Sequence, residues 1–185
     1  MLSTIIPKAR PVLSNRRTIF NAIQRAREKT KSEKPPPPVA IPPTKRLAIV
    51  TCMDARINPF EQLGISKGEA HIIRNAGGMA KDALRSLVIS QRLLGTRAID
   101  VYHHTGCGMV TFKSPELRRL VKWGSPDDPA CAEQIDSMDF LEFSDLEQSV
   151  KDDVNFLKES PLILKGTKIQ GFIYHLETGE ATRVI

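Results

Sequence analysis

The chain predicts an α/β domain built on a mostly parallel sheet flanked by helices. Three observations carry that expectation. Short apolar runs rich in β-branched residues recur between residues 47 and 176, helical periodicities fall between them, and polar residues crowd the ends of the runs. Leu47-Ala48-Ile49-Val50 is the first run, and Thr51-Cys52-Met53-Asp54 follows it at once. Ala70-His71-Ile72-Ile73 and Ala98-Ile99-Asp100-Val101-Tyr102 have the same character, while Ile169 to Leu176 alternates less cleanly. A helix is expected from Lys81 to Leu94, where Leu84, Leu87, Val88 and Leu94 share one side and Gly95 ends the pattern. Another is expected from Asp145 to Lys158, with Leu146, Val150, Val154 and Leu157 at helical spacing. In open sheets of this kind ligands bind beyond the carboxyl ends of the strands, so chemistry is expected there.

The formal charge of +6 divides unevenly along the 185 residues. Residues 1–34 hold nine Lys or Arg against two Glu, and residues 35–185 hold 18 against 19. A nucleic-acid face needs basic residues clustered on the folded body and interleaved with aromatics, so no nucleic-acid partner is expected. No membrane partner is expected either, because no uncharged run approaches the roughly 18 to 20 apolar residues of a spanning helix. Residues 1–17 read as a basic N-terminal extension, with Lys8, Arg10, Arg16 and Arg17 and no acid, a composition shared by mitochondrial presequences and solvated tails. Residues 18–34 read as an amphipathic helical arm with Ile19, Phe20 and Ile23 on one face. Residues 35–44 hold six of the thirteen prolines and read as a stiff linker to a domain over residues 45–185. Three cysteines cannot all pair within one chain, which favours reduced thiols and an intracellular location, in the cytoplasm or the mitochondrial matrix.

Two strand ends hold the informative residues. Thr51-Cys52-Met53-Asp54-Ala55-Arg56 follows the first strand, and His103-His104-Thr105-Gly106-Cys107-Gly108 follows the third. A lone Cys after an apolar strand is usually a small buried hydrophobe, and a lone His usually a satisfied one. Together Cys52, His104 and Cys107 offer two thiolates and an imidazole, the ligands that Zn²⁺ selects, and three protein ligands leave one tetrahedral position open as in a catalytic site. Asp54 is placed to close that position. His103 alternates to the opposite face from His104 and is expected to stay off the metal. Gly77-Gly78 reads as a close backbone approach, His71 and His175 as structural or exposed, and Cys131 as a free thiol in a loop with Pro126, Asp127, Asp128 and Pro129.

These motifs resemble those of the β-class carbonic anhydrases of the short fungal and bacterial type. The residues that match are Cys52-x-Asp54-x-Arg56 and His104-x-x-Cys107, with the segment Gly68 to Gly77 between them and Ile169-x-Gly171-Phe172-x-Tyr174 and Thr178-Gly179 after them. The resemblance implies a sheet of four parallel strands plus an antiparallel edge strand. It also implies one Zn²⁺ per chain on Cys52, His104 and Cys107, with Asp54 and Arg56 as the catalytic dyad beside it. The activity implied is reversible hydration of carbon dioxide to bicarbonate and a proton by a zinc-bound hydroxide. The assembly implied is a homodimer or homotetramer whose N-terminal helix packs on a neighbouring subunit. The chain departs from the plant-type pattern at Gly106 and at Met109, which puts bulk beside the metal. Two other functions fit the same residues: hydrolysis of carbon disulfide or carbonyl sulfide, and a non-catalytic zinc protein closed by Asp54 that senses bicarbonate or redox state.

Overall fold

The computed structural model describes residues 40–185 together with Asn21, Gln24 and Arg25, which are helical. The extension over 1–17, the rest of the arm and the linker up to residue 39 lie outside the described residues. The chain divides between Pro38 and Val39 into two units, and the second holds every strand of the sheet. Among the described residues no helix is long and apolar enough to cross a membrane.

Among the described residues one sheet of five strands runs in the order β2-β1-β3-β4-β5. Its strands are β1 (Leu47–Cys52), β2 (Ala70–Asn75), β3 (Ala98–His104), β4 (Lys168–His175) and β5 (Glu180–Arg183). The first four are parallel, and β5 returns antiparallel on β4, with Phe172 opposite Arg183. Over the described residues 40–185 the helices are α1 (Pro59–Gln62), α2 (Ala80–Leu94), α3 (Ser114–Gly124), α4 (Pro129–Ser137) and α5 (Leu146–Glu159).

The strands form where expected and extend a residue or two further into the polar ends, because Thr51, Cys52, His103 and His104 are themselves buried there. The helix ends follow local chemistry. Gly95 adopts a left-handed φ of 76° to close α2, and the Asp145 carboxylate accepts from the Gln148 amide at 2.9 Å to open α5. Cys131 is a correction: it lies in α4 rather than in a loop. Pro129 begins that helix with a preset φ, and the Asp128 carboxylate accepts from the Cys131 amide at 3.0 Å, so the residues that read as turn formers act as a helix start.

One face of the sheet packs on α2 and α5. Ala48, Val50, Ile99 and Val101 meet Leu87 of α2 and Val154 and Leu157 of α5 in a dry core. Helix α5 comes this close to β4 because residue 171 is glycine. A Cβ there would lie 2.5 Å from Val150 Cγ1 and 2.9 Å from Val154 Cγ2, and β-branched side chains have little rotamer freedom in a helix with which to yield. Gly171→Ala is therefore expected to destabilise the fold by about 1 to 3 kcal/mol through overpacking. Chemical denaturation checks this: the midpoint should fall with the slope unchanged, and an unaltered midpoint would contradict the close packing.

Candidate metal centre

The strand order reverses at β1. From β1 the chain steps out to β2 on one side and returns to β3 on the other, which leaves a crevice beyond the carboxyl ends of β1 and β3. Cys52 ends β1 and His104 ends β3, and the turn after β3 delivers Cys107. The ligand atoms of these three residues lie within 4.8 Å of one another, and all three residues are buried. Among the described residues they form the one cluster of this kind. Sequence reasoning named all three, and the structure brings them together.

The floor of the crevice needs a glycine. Gly78 follows β2 in a short 3₁₀ turn at a φ of 76°, and a Cβ there would stand 2.9 Å from the Cys52 nitrogen, the Thr51 carbonyl carbon and the Tyr102 oxygen. Those are backbone atoms of β1 and β3 and cannot yield. The Cys52 loop is also held from β2: Arg74 donates from Nε to the Cys52 carbonyl at 3.0 Å and from Nη2 to the Asp54 carbonyl at 2.6 Å.

The donor set fits a soft divalent cation. His104 Nδ1 lies 2.9 Å from the Thr105 carbonyl, an acceptor, so Nδ1 carries the proton and Nε2 presents its lone pair. That Nε2 is buried without a hydrogen-bond partner and faces the two sulfurs, an arrangement that costs free energy unless something electropositive sits there. The two sulfurs are close enough that both cannot ionise without a counter-charge: the neighbouring thiol lowers the pKa of Cys52, and Cys107 is raised in return because its neighbour becomes a thiolate. A divalent cation removes that conflict by stabilising both sulfurs as thiolates.

Asp54 and Arg56 stand beside this cluster as a tight pair. Arg56 donates from Nε to Asp54 Oδ1 at 2.9 Å and from Nη2 to Oδ2 at 2.6 Å, and its own amide adds a bond of 2.9 Å to Oδ1. The guanidinium holds the Asp54 carboxyl far below the usual carboxylate range, so it is an anion. Arg56 Nη2 also donates to the Gly106 carbonyl at 2.9 Å, which links the pair to the turn between His104 and Cys107. Asp54 Oδ2 remains 3.8 Å from His104 Nε2.

His103 points the other way, as alternation requires. It is buried against α5, with Nδ1 2.7 Å from Ser149 Oγ and Nε2 3.1 Å from Asp153 Oδ2. His71 and His175 are structural, bonded to Ser90 Oγ at 2.7 Å and to Thr182 Oγ1 at 3.1 Å. A cavity of about 420 Å³ opens over Cys52, Asp54 and Cys107, and its wall is apolar: Met53, Met109, Phe112, Leu117 and Phe140. Met109 does place bulk at the site, and sequence reasoning missed Phe112, Leu117 and Phe140. A larger hollow of about 490 Å³ at the opposite end of the sheet has no Cys or His in its lining.

A family model described as carbonic anhydrase matches residues 47–181. The chain belongs to the β-class carbonic anhydrases. It is similar to Beta-carbonic anhydrase 1 of Mycobacterium tuberculosis, 39% identical over 148 residues that cover 80% of this chain and 86% of the relative. It is also similar to a carbon disulfide hydrolase of Saccharolobus solfataricus, 36% identical over 156 residues covering 75% and 76% of the two chains. The solved carbonic anhydrase from Glaciozyma antarctica superposes with a TM-score of 0.80 at 46% identity, covering 97% of this chain and 100% of that one. Tetramers occur among more distant members, as in two β-carbonic anhydrases of Sordaria macrospora. The enzyme thus has the fold, the activity class and a metal-compatible cluster of its family.

Gly78→Ala is expected to disturb this carbonic anhydrase at the cluster itself, by pushing β1 and β3 apart. Zinc affinity measured by competition with a chelator should fall at least about tenfold, since displaced ligands lose geometry. Wild-type affinity would contradict the close approach.

Proposed function

We propose that this enzyme interconverts carbon dioxide and water with bicarbonate and a proton, using one zinc ion held by Cys52, His104 and Cys107. The observation that carries this reading is the buried, unpartnered His104 Nε2 facing two buried sulfurs, all three ligand atoms within 4.8 Å of one another. Bound zinc supplies Lewis acidity, which brings the ionisation of water into the physiological range. The remaining work falls to the chain's own groups.

Asp54 is the hydrogen-bond acceptor that aims the attacking water. Its carboxylate is anionic and fixed beside the metal cluster; Arg56 fills both acceptor sites of Oδ1 and one of Oδ2, which leaves a lone pair on Oδ2, the oxygen that lies 3.8 Å from His104 Nε2. Arg56 keeps Asp54 from coordinating the metal, and its bond to the Gly106 carbonyl holds the pair against the ligand turn. The pairing of both Asp54 oxygens with Arg56 supports the catalytic reading over a sensor closed by Asp54. The apolar wall of the cavity suits an uncharged linear substrate, which loses little hydration on entry, and suits a charged product much less.

A second reading is hydrolysis of carbon disulfide, favoured by the similarity to the Saccharolobus hydrolase and compatible with the same wall. The full chain is proposed to form a dimer or tetramer, a reading supported by the exposed Trp123, Leu120 and Leu93, and to reside in the cytoplasm or mitochondrial matrix, a reading supported by the basic, acid-poor segment 1–17. Light scattering and cell fractionation test these two readings; a monomer or a secreted product would overturn them.

Stopped-flow carbon dioxide hydration on metal-analysed protein tests the main reading. Arg56→Ala should retain one zinc per chain yet lose about a hundredfold or more in rate, because Asp54 is no longer aimed or restrained. An unchanged rate would remove the dyad from the mechanism. Sulfide release from carbon disulfide with no carbon dioxide turnover would select the second reading.

A further inference from the structure

Thr105 lies between His104 and Cys107, and every polar group it has is engaged. Its amide donates to the Tyr174 carbonyl at 3.0 Å, and its carbonyl accepts from His104 Nδ1 at 2.9 Å. Its hydroxyl donates to Glu177 Oε2 at 2.7 Å and accepts from the Leu176 amide at 3.0 Å. Tyr174 belongs to β4, and Leu176 and Glu177 begin the turn between β4 and β5, so all of these except the His104 bond tie the ligand turn to that hairpin.

Cys107 is buried, but the two glycines that flank it offer little packing to hold the turn. Gly106 sits at a φ of 63°, and a Cβ there would meet nothing nearer than Arg56 Nη1 at 3.9 Å; at Gly108 it would meet nothing within 4 Å. Directional bonds therefore set the conformation of the turn at Thr105 and the glycines, where side-chain packing does not. The Thr105 carbonyl fixes the tautomer and ring plane of His104, so the pose of Thr105 decides where Nε2 points.

We propose that Thr105 and Glu177 are positioning residues for the metal centre: the Glu177 carboxylate, through the Thr105 hydroxyl, ties the ligand turn to the β4–β5 hairpin and so aims His104 Nε2 at the ion shared with Cys52 and Cys107. This rests on the zinc reading above. Thr105→Val keeps the shape of the side chain but leaves the Leu176 amide without its acceptor and releases the Glu177 carboxylate to solvent, and the glycines on either side of Cys107 offer the loosened turn no side-chain packing to resist movement. Glu177 is exposed, so Glu177→Ala removes the outer half of the tie without opening a cavity.

Cobalt(II) titration of the full chain, read by its d–d and thiolate-to-metal absorption, tests this together with the melting temperature of each variant. Thr105→Val should weaken cobalt binding about ten- to hundredfold and shift or broaden the d–d bands. Glu177→Ala should change both in the same direction by less, and Thr105→Ser, which keeps the hydroxyl, should restore both. If Thr105→Val does not fold, Glu177→Ala decides the matter. Unchanged bands and affinity with a lowered melting temperature would make the tie merely structural and overturn the proposal. An unsubstituted chain that binds cobalt without a thiolate band would instead overturn the metal reading, and this inference with it.

Discussion

The parallel pairing of β1 with β3 is the constraint on which the rest depends. Their register sets Thr51 opposite Tyr102, so β1 and β3 end side by side and Cys52 arrives next to His104 although about fifty residues separate them in the chain. A parallel pair requires a crossover, and here the crossover carries β2 and α2, which leaves the crevice open between the two strand ends. Gly78 lets the backbone close under that crevice, Arg74 holds the Cys52 loop from one side, and Arg56 reaches the Gly106 turn from the other.

Two adjacent histidines show how one strand serves both fold and site. Alternation sends His103 into the helix-covered face, where Ser149 and Asp153 of α5 satisfy both ring nitrogens. Asp153 Oδ2 also accepts from the Ala80 amide at 2.8 Å, so the same carboxylate fastens the start of α2. His104 has one ring nitrogen satisfied and the other left bare toward the thiols. The difference between a fully and a half-satisfied buried imidazole separates a structural histidine from a candidate ligand.

Much of this was legible in the sequence, for identifiable reasons. β1 and β3 are apolar runs ending in polar residues, α5 buries Val150, Val154 and Leu157 of its expected stripe, and the metal motifs sit at strand ends where chemistry belongs; in α2 only Leu87 of the expected four is fully buried, because the face that meets the sheet is completed by Ala80, Ala83, Ser90 and Gln91. Residues 114–137 give a weak signal because α3 leaves Leu120 and Trp123 exposed and α4 starts from Pro129 behind an aspartate pair, a pattern shared with turns. Phe140 becomes part of the cavity wall through tertiary ties: Lys81 holds Asp139 at 2.7 Å, Arg118 donates to the Met138 carbonyl at 2.8 Å, and Glu142 takes both the amide and the hydroxyl of Ser114. Those partners lie 20 to 58 residues apart in the chain and follow no local pattern.

Zinc-edge X-ray absorption on the purified full chain tests the central claim most directly, because it counts ligands without assuming activity. The expected result is one zinc per chain with two sulfur scatterers at about 2.3 Å, one imidazole nitrogen at about 2.0 to 2.1 Å, and a light fourth ligand. A shell with fewer than two sulfurs, or protein that holds no stoichiometric zinc, would contradict it.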